Sequence, residues 1–195
     1  ETLGALAAMH QSVYAYADAE QLYRQVLAIR EKAFGPKHPG YLAGLNRLGL
    51  LYYSTGDYGQ AEPVLRQALE TAREIFGPKH PDTAICLNNL ASLYHVRGEY
   101  ARAEPLLREA LEACGEVRGP EHPDYATALS SLAGLYQSMG DYARAEPLLD
   151  QALEIRKNAL GREHPDYAAS LNNLAGLYYQ TGDVARNRYR ELRLF

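Results

Sequence analysis

The sequence predicts an all-α fold, a solenoid of antiparallel helix pairs in about five units. Three observations predict it. The dipeptide His-Pro falls at His38, His80, His122 and His164, each 42 residues after the one before. Between these marks the apolar residues recur at helical spacing, interrupted by short stretches of glycine and proline. Nothing alternates apolar and polar residues over a useful length, as strands would. A fixed period of roughly 20–50 residues marks a repeat architecture, and 195 residues at a period of 42 amount to about 4.6 units.

Cut after each His-Pro loop, the single array 1–195 divides into repeats 1–41, 42–83, 84–125, 126–167 and 168–195. The first repeat lacks its opening residue and the last stops short, so the chain reads as a piece of a longer array. Glu1 is not a start methionine, and no signal peptide is recognisable. The third repeat shows the pattern of one unit. Leu87, Leu90, Ala91 and Tyr94 step i, i+3, i+4, i+7, which is one face of a helix. Gly98 breaks that run, and Glu99 opens the next as an acidic first-turn residue. Ala103, Leu107, Ala110 and Leu111 then repeat the stepping. A second turn follows at Gly119-Pro120 and His122-Pro123-Asp124. Each unit is therefore expected to be two helices of about 14 and 17 residues joined by short linkers.

Composition excludes several classes. The chain is 47% hydrophobic and 23% charged, with a mean hydropathy of -0.38, so it has the makings of a folded core. The net charge of -4 leaves no basic excess for a phosphate backbone. The 16 tyrosines are not interleaved with a basic stripe on which bases would stack. No apolar run approaches the roughly 20 residues of a membrane span. Nucleic acid and membrane are thus not expected as partners, and a cytoplasmic location is. Two cysteines do not make a disulfide framework.

A period near 42 also suits HEAT and armadillo helices, so the residues must decide. A small residue stands where the paired helices cross, with leucine before it and an aromatic three places after. The sets are Leu48-Gly49 with Tyr52, Leu90-Ala91 with Tyr94, Leu132-Ala133 with Tyr136, and Leu174-Ala175 with Tyr178. A second small residue comes nine places later, at Ala61, Ala103 and Ala145. Small residues let helix axes approach to the lower end of about 8–10 Å. The pattern is that of the tetratricopeptide repeat. The segments Leu87-Asn88-Asn89-Leu90-Ala91, Gly98-Glu99-Tyr100, Ala103-Glu104-Pro105-Leu106 and Gly119-Pro120-Glu121-His122-Pro123-Asp124-Tyr125 closely resemble the 42-residue repeats of kinesin light chain. The resemblance covers roughly residues 3 to 185 and implies a right-handed α-solenoid. Two places depart from it. Tyr14 replaces the turn glycine in the first repeat. In the last, Asn187 and Tyr189 replace the small residue and the proline, within the charged run 186–193. That run is either a polar terminal cap or a helix cut before its packing partner.

The residues that invite a chemical reading mostly resolve into structure. Zinc ligands must converge within about 2.0–2.3 Å of one ion. Four histidines separated by whole helices line an edge instead, with Pro suited to the first helical turn and Asp to its positive end. Cys86 and Cys114 belong to one unit, near the start of one helix and the end of its partner. Gly44, Ala128 and Ser170 stand in place of Cys86, so that site is small and packed. Arg30 and Arg156 stand in place of Cys114, which suggests solvent. Two reduced thiols are expected, with a disulfide as the alternative. Glu62, Glu104 and Glu146 recur by repeat and read as a solvated helix face with i, i+4 partners such as Glu104 and Arg108. No nucleophile-and-base pair, metal signature or phosphate loop is present. The sequence predicts no catalytic residue, no metal and no cofactor, and an enzyme is not expected.

What remains is a face. In a superhelix of helix pairs the first helices line the concave side. Their positions outside the packing set are Asn46, Arg47, Leu50 and Tyr53, then Ile85, Asn88, Asn89 and Ser92, then Ser131, then Asn172, Asn173 and Tyr179. Asn amides both donate and accept, which suits the backbone of an extended peptide. The kinesin light chain resemblance implies that Asn89, Asn173 and Arg47 hold an acidic, aromatic-containing peptide. Ser130-Ser131 shortens the reach where other repeats have Asn, and the basic complement is thin. Neutral hydrogen bonds net only about 0.5–1.5 kcal/mol each, so apolar anchors near Leu50, Tyr53, Ile85 and Val96 must carry affinity. The bland alternative makes these Asn residues ties between neighbouring helices. Two functions follow. One is a protein- or peptide-binding module within a larger adaptor or signalling protein. The other is a structural or regulatory array packing on a neighbouring domain, or on another copy through exposed ends.

Overall fold

The computed structural model describes residues 16–182. Among these are eight helices and no strand: α1 (Tyr16–Phe34), α2 (Pro39–Thr55), α3 (Tyr58–Phe76), α4 (Pro81–Val96), α5 (Tyr100–Arg118), α6 (Pro123–Ser138), α7 (Tyr142–Leu160) and α8 (Pro165–Thr181). The helices opened by His-Pro have 16 or 17 residues and the others 19, longer than the apolar stepping alone suggests. The excess lies at the ends, where caps and not apolar contacts set the boundary. Tyr14 and the run 186–193 lie outside the described residues.

Each His-Pro helix begins at its proline, and the histidine before it is the cap. His38, His80, His122 and His164 are extended, and each Nδ1 accepts a hydrogen bond from the backbone N–H two residues on. The distances are 3.0–3.2 Å. This is the work of Ser, Thr, Asp or Asn at ordinary helix starts, where an orphan N–H needs an acceptor. The alternate helices α3 and α7 use Asp57 and Asp141 in the usual way. Helix ends are set by eight glycines, from Gly35 to Gly182, spaced every 21 residues and all at φ between 71° and 87°. At Gly56 the left-handed turn returns the amide to Tyr53 O and stops α2.

Consecutive helices pack against each other: α1 on α2, α2 on α3 and α3 on α4 in one compact unit, α6 on α7 and α7 on α8 in a second. The division falls between Leu106 and Leu107, inside α5. In the first unit the small residues sit at close approaches. A methyl group on Gly49 would come within 2.5 Å of Leu65 Cδ2, and one on Gly44 within 2.8 Å of Leu27 Cδ2. Ala61, Ala91 and Ala103 are fully buried, as are Leu65 and Leu87. In the second unit Ala126, Leu129, Ala152 and Ile155 form a buried cluster, with Leu111, Tyr125 and Leu148 against it. The position shared by Gly44, Cys86, Ala128 and Ser170 is buried at all four of these residues, as their small size implies. The position of Cys114 is a correction. Cys114 is buried, and so is Arg156, whose Nη1 donates to Ser170 Oγ (2.6 Å) and Nη2 to Thr127 Oγ1 (3.0 Å). Arginine there marks a buried polar contact and not solvent. Both cysteines are free, and burial pushes both thiols up, so they stay protonated.

Candidate functional site

The first helices place their apolar stripe inward and leave a second stripe outward. In α4, Leu87, Leu90, Ala91 and Tyr94 are buried. Ile85 and Ser92 are exposed, and Asn88 and Asn89 are half-buried. In α2, Arg47 and Leu50 are exposed, and Asn46 and Tyr53 are half-buried. Leu50, Ile85 and Val96 leave 41%, 53% and 48% of their surfaces in water, a high exposure for leucine, isoleucine and valine. In the second unit Ser131 is half-buried on α6, Asn172 and Asn173 are exposed on α8, and Tyr179 is 86% exposed.

The structure brings two of these residues together. Asn89 Nδ2 donates to Asn46 Oδ1 at 3.2 Å, from α4 to α2. Asn46 Nδ2 in turn lies 3.3 Å from Cys86 Sγ. Part of the amide ladder is thus a tie between adjacent first helices. One amide N–H of Asn46 and the carbonyl of Asn89 are not used in that tie. Asn88 turns back on its own helix, donating to Ala84 O at 2.9 Å. Its Oδ1 is buried without a hydrogen-bond partner. Ser131 likewise donates to Thr127 O, four residues back. Its hydroxyl proton is therefore engaged by its own helix.

The recurring glutamates keep the expected i, i+4 partner, as Arg66 shows at Glu62, but the solvated face is a second correction. Glu62 is no solvated face residue: its side chain is only 21% exposed. Tyr94 Oη, from the next repeat, donates to Glu62 Oε1 at 3.0 Å. Arg97 Nη1 donates to Oε2 at 2.6 Å, and Arg66 and Arg102 reach the same carboxylate. The Arg102 guanidinium also lies 3.9 Å from the centre of the Tyr94 ring. Burial pushes the Glu62 carboxyl up, but the hydrogen bonds from Arg102, Tyr94 and Arg97 outweigh it and hold it down at about 2. The motif recurs. Tyr52 donates to Glu20 at 2.8 Å while Arg24 donates to Tyr52 Oη, also at 2.8 Å. Arg108 donates to Tyr136 Oη at 2.7 Å, and Tyr178 to Glu146 at 3.2 Å. The signal was in the sequence: Glu and Tyr stand 32 apart four times along the chain, and three of those tyrosines have Arg 28 places before them. Spacing within one helix hid it, because the partner lies one repeat on.

Among the described residues no group of three or more His, Cys, Asp or Glu is placed to hold a metal ion, and no helix is long and apolar enough to cross a membrane.

The comparisons agree with this architecture. The nearly identical TPR-like repeats of a Podosopora anserina protein assigned to the kinesin light chains superpose with a TM-score of 0.81 at 28% identity, over 96% of this chain and 89% of that one. BtubC (BKLC) from P. vanneervenii gives a TM-score of 0.83 at 28% identity, over 96% and 74%. A Rap protein complexed with competence and sporulation factor gives 0.76 at 16% identity, over 98% of this chain and 51% of that one, and shows the fold alone. No curated protein sequence matches. The family model for the tetratricopeptide repeat matches residues 1–74, 43–114, 87–158 and 126–186. The fold is therefore an all-α array of the solenoid class and of the kinesin light chain-like type, built as a protein–protein interaction module: the chain belongs to the tetratricopeptide repeat family.

Proposed function

We propose that the outward stripes of the first helices bind an extended segment of a partner protein, and that the array serves as the recognition part of a larger adaptor or signalling protein in the cytoplasm. The observation that carries this reading is the mixed stripe on α2 and α4. Leu50, Ile85 and Val96 offer apolar anchors, and Arg47, Asn89 and the remaining amide N–H of Asn46 offer polar groups beside them. On α8, Asn172, Asn173 and Tyr179 offer a similar mixture. Peptide-library selection on the chain tests it, followed by binding to Arg47→Ala/Asn89→Ala/Asn173→Ala. The selected peptides should lose most of their affinity for the triple variant while its helical circular dichroism is kept. Undiminished binding to a folded variant sinks the groove reading.

A second reading has the repeats pack on a neighbouring domain or on another copy. It is favoured by apolar side chains exposed on second helices: Ile29 (56%) and Phe34 (61%) on α1, and Val117 (53%) on α5. Light scattering at high concentration separates self-association from the monomer.

A further inference from the structure

Repeat chemistry offers an internal comparison at one place in the first unit. A cavity of about 150 Å³ opens between the starts of α2 and α4 and the end of α3. Its walls are Pro39, Leu42, Ala43, Phe76 and Ile85, with Asn46 and Asp82 among them, and the Asp82 side chain is half exposed. One repeat on, the equivalents of Phe76 and Asp82 are Arg118 and Asp124. There the chain answers its own carboxylate: Arg118 Nε lies 2.9 Å from Asp124 Oδ2. In the first unit phenylalanine takes the arginine's place, and its ring stacks on His80 at 4.4 Å. Asp82 is left with Nδ1 of His80 at 3.8 Å, and that nitrogen already accepts from the Asp82 amide. It has no proton to offer the carboxylate.

We infer that this cavity receives an arginine side chain of the bound segment, which pairs with Asp82 as Arg118 pairs with Asp124 in the following repeat. The volume is about that of a cavity that holds one benzene ring, enough for a guanidinium and part of its stem. Guanidinium suits the walls better than ammonium. It is planar and weakly hydrated, can lie against an aromatic face, and presents a fork of donors to a carboxylate. Asn46 and Ile85 belong both to the cavity and to the outward stripe, so the arginine is one from the peptide held there. The identity of the partner rests on the groove reading. The cavity and its carboxylate do not.

The probe is the capped pentapeptide Gly-Gly-Arg-Gly-Gly, with a twin carrying citrulline, the uncharged isostere of arginine. The readout is the methyl resonances of Leu42 and Ile85 at millimolar peptide. The arginine peptide should shift both, and citrulline should bind about two- to fivefold more weakly, as for loss of one exposed ion pair. Asp82→Asn should weaken the arginine peptide by a similar factor. Phe76→Arg, which restores the internal arginine of the next repeat, should abolish the response. Equal binding of the citrulline twin, an unchanged response in Asp82→Asn, or no shift at Leu42 and Ile85 overturns the inference. Library peptides that still depend on Arg47 and Asn173 would leave the groove reading standing after such a failure. An arginine response on a chain whose library peptides ignore Arg47 and Asn173 would leave the cavity standing without it.

Discussion

Replacing Glu62 by Gln removes the charge at the centre of the tie between α3 and α4 while keeping its shape. The fall of the carboxyl from its ordinary 4.5 to about 2 corresponds to about 3 kcal/mol of preference for the charged form in the folded chain. The side chain is 21% exposed, so water and salt take a share, and Glu62→Gln should destabilise by about 1–3 kcal/mol at pH 7. The pH dependence has a definite sign. The folded value is depressed, so the contribution is complete above about 4.5 and fades as pH falls toward 2. Urea unfolding of both proteins at pH 7, 4, 3 and 2 checks it. The gap between the two should be widest at pH 7 and close at the acid end. Coincident curves at pH 7, or a gap that stays constant down to pH 2, would refute the reasoning. Tyr94→Phe should show part of the same loss, since it removes one donor and leaves the arginines.

Two further substitutions test the frame around the tie. His122→Ala should cost about 0.5–2 kcal/mol in urea unfolding, by loss of the cap on α6, and His122→Asn should restore most of it; equal stability of all three would remove histidine from the capping role. Gly49→Ala should destabilise by about 0.5–2 kcal/mol in thermal unfolding, because the new methyl meets the buried Leu65 at 2.5 Å and the roughly 1 kcal/mol gain in helix propensity offsets only part of that clash; an unchanged midpoint would mean that Leu65 yields freely.

How far the sequence could be read depended on where each partner lies. Period, helix pairing and the small-residue crossings were legible because they repeat locally: Leu90, Ala91 and Tyr94 declare one face within two turns. The capping role of histidine was not, because proline and aspartate account for a helix start by themselves and histidine then reads as punctuation. Nor were the ties. Glu62 and Arg66 look like a surface pair on one helix, and only the stacked neighbour shows that Tyr94 and Arg102 complete them. Arg156 misled for the opposite reason: its charge argued for water, whereas Ser170 and Thr127, from helices on either side, hold it inside. Gly49 shows the limit of reading by analogy. Its equivalents are all alanine, yet here Leu65 stands too close for one.

The outward stripe was legible as a set of positions, while the state of each amide was not. Asn46 and Asn89 look alike in the sequence. In the structure, the bond between them settles which of their atoms the tie uses.

The ties between repeats are not all alike. Tyr52 and Tyr94 are each gripped by a glutamate and an arginine, and Tyr136 by an arginine. At Tyr178 the arginine position is Asp150, four residues from Glu146 on the same helix, so two like charges share the seat of a salt bridge. The arginine that grips Tyr52, Tyr94 and Tyr136 from this position is thus replaced at Tyr178 by a residue that cannot donate to its hydroxyl as a carboxylate. Asp150→Arg is expected to supply that donor, and a raised urea midpoint would be the trace of it.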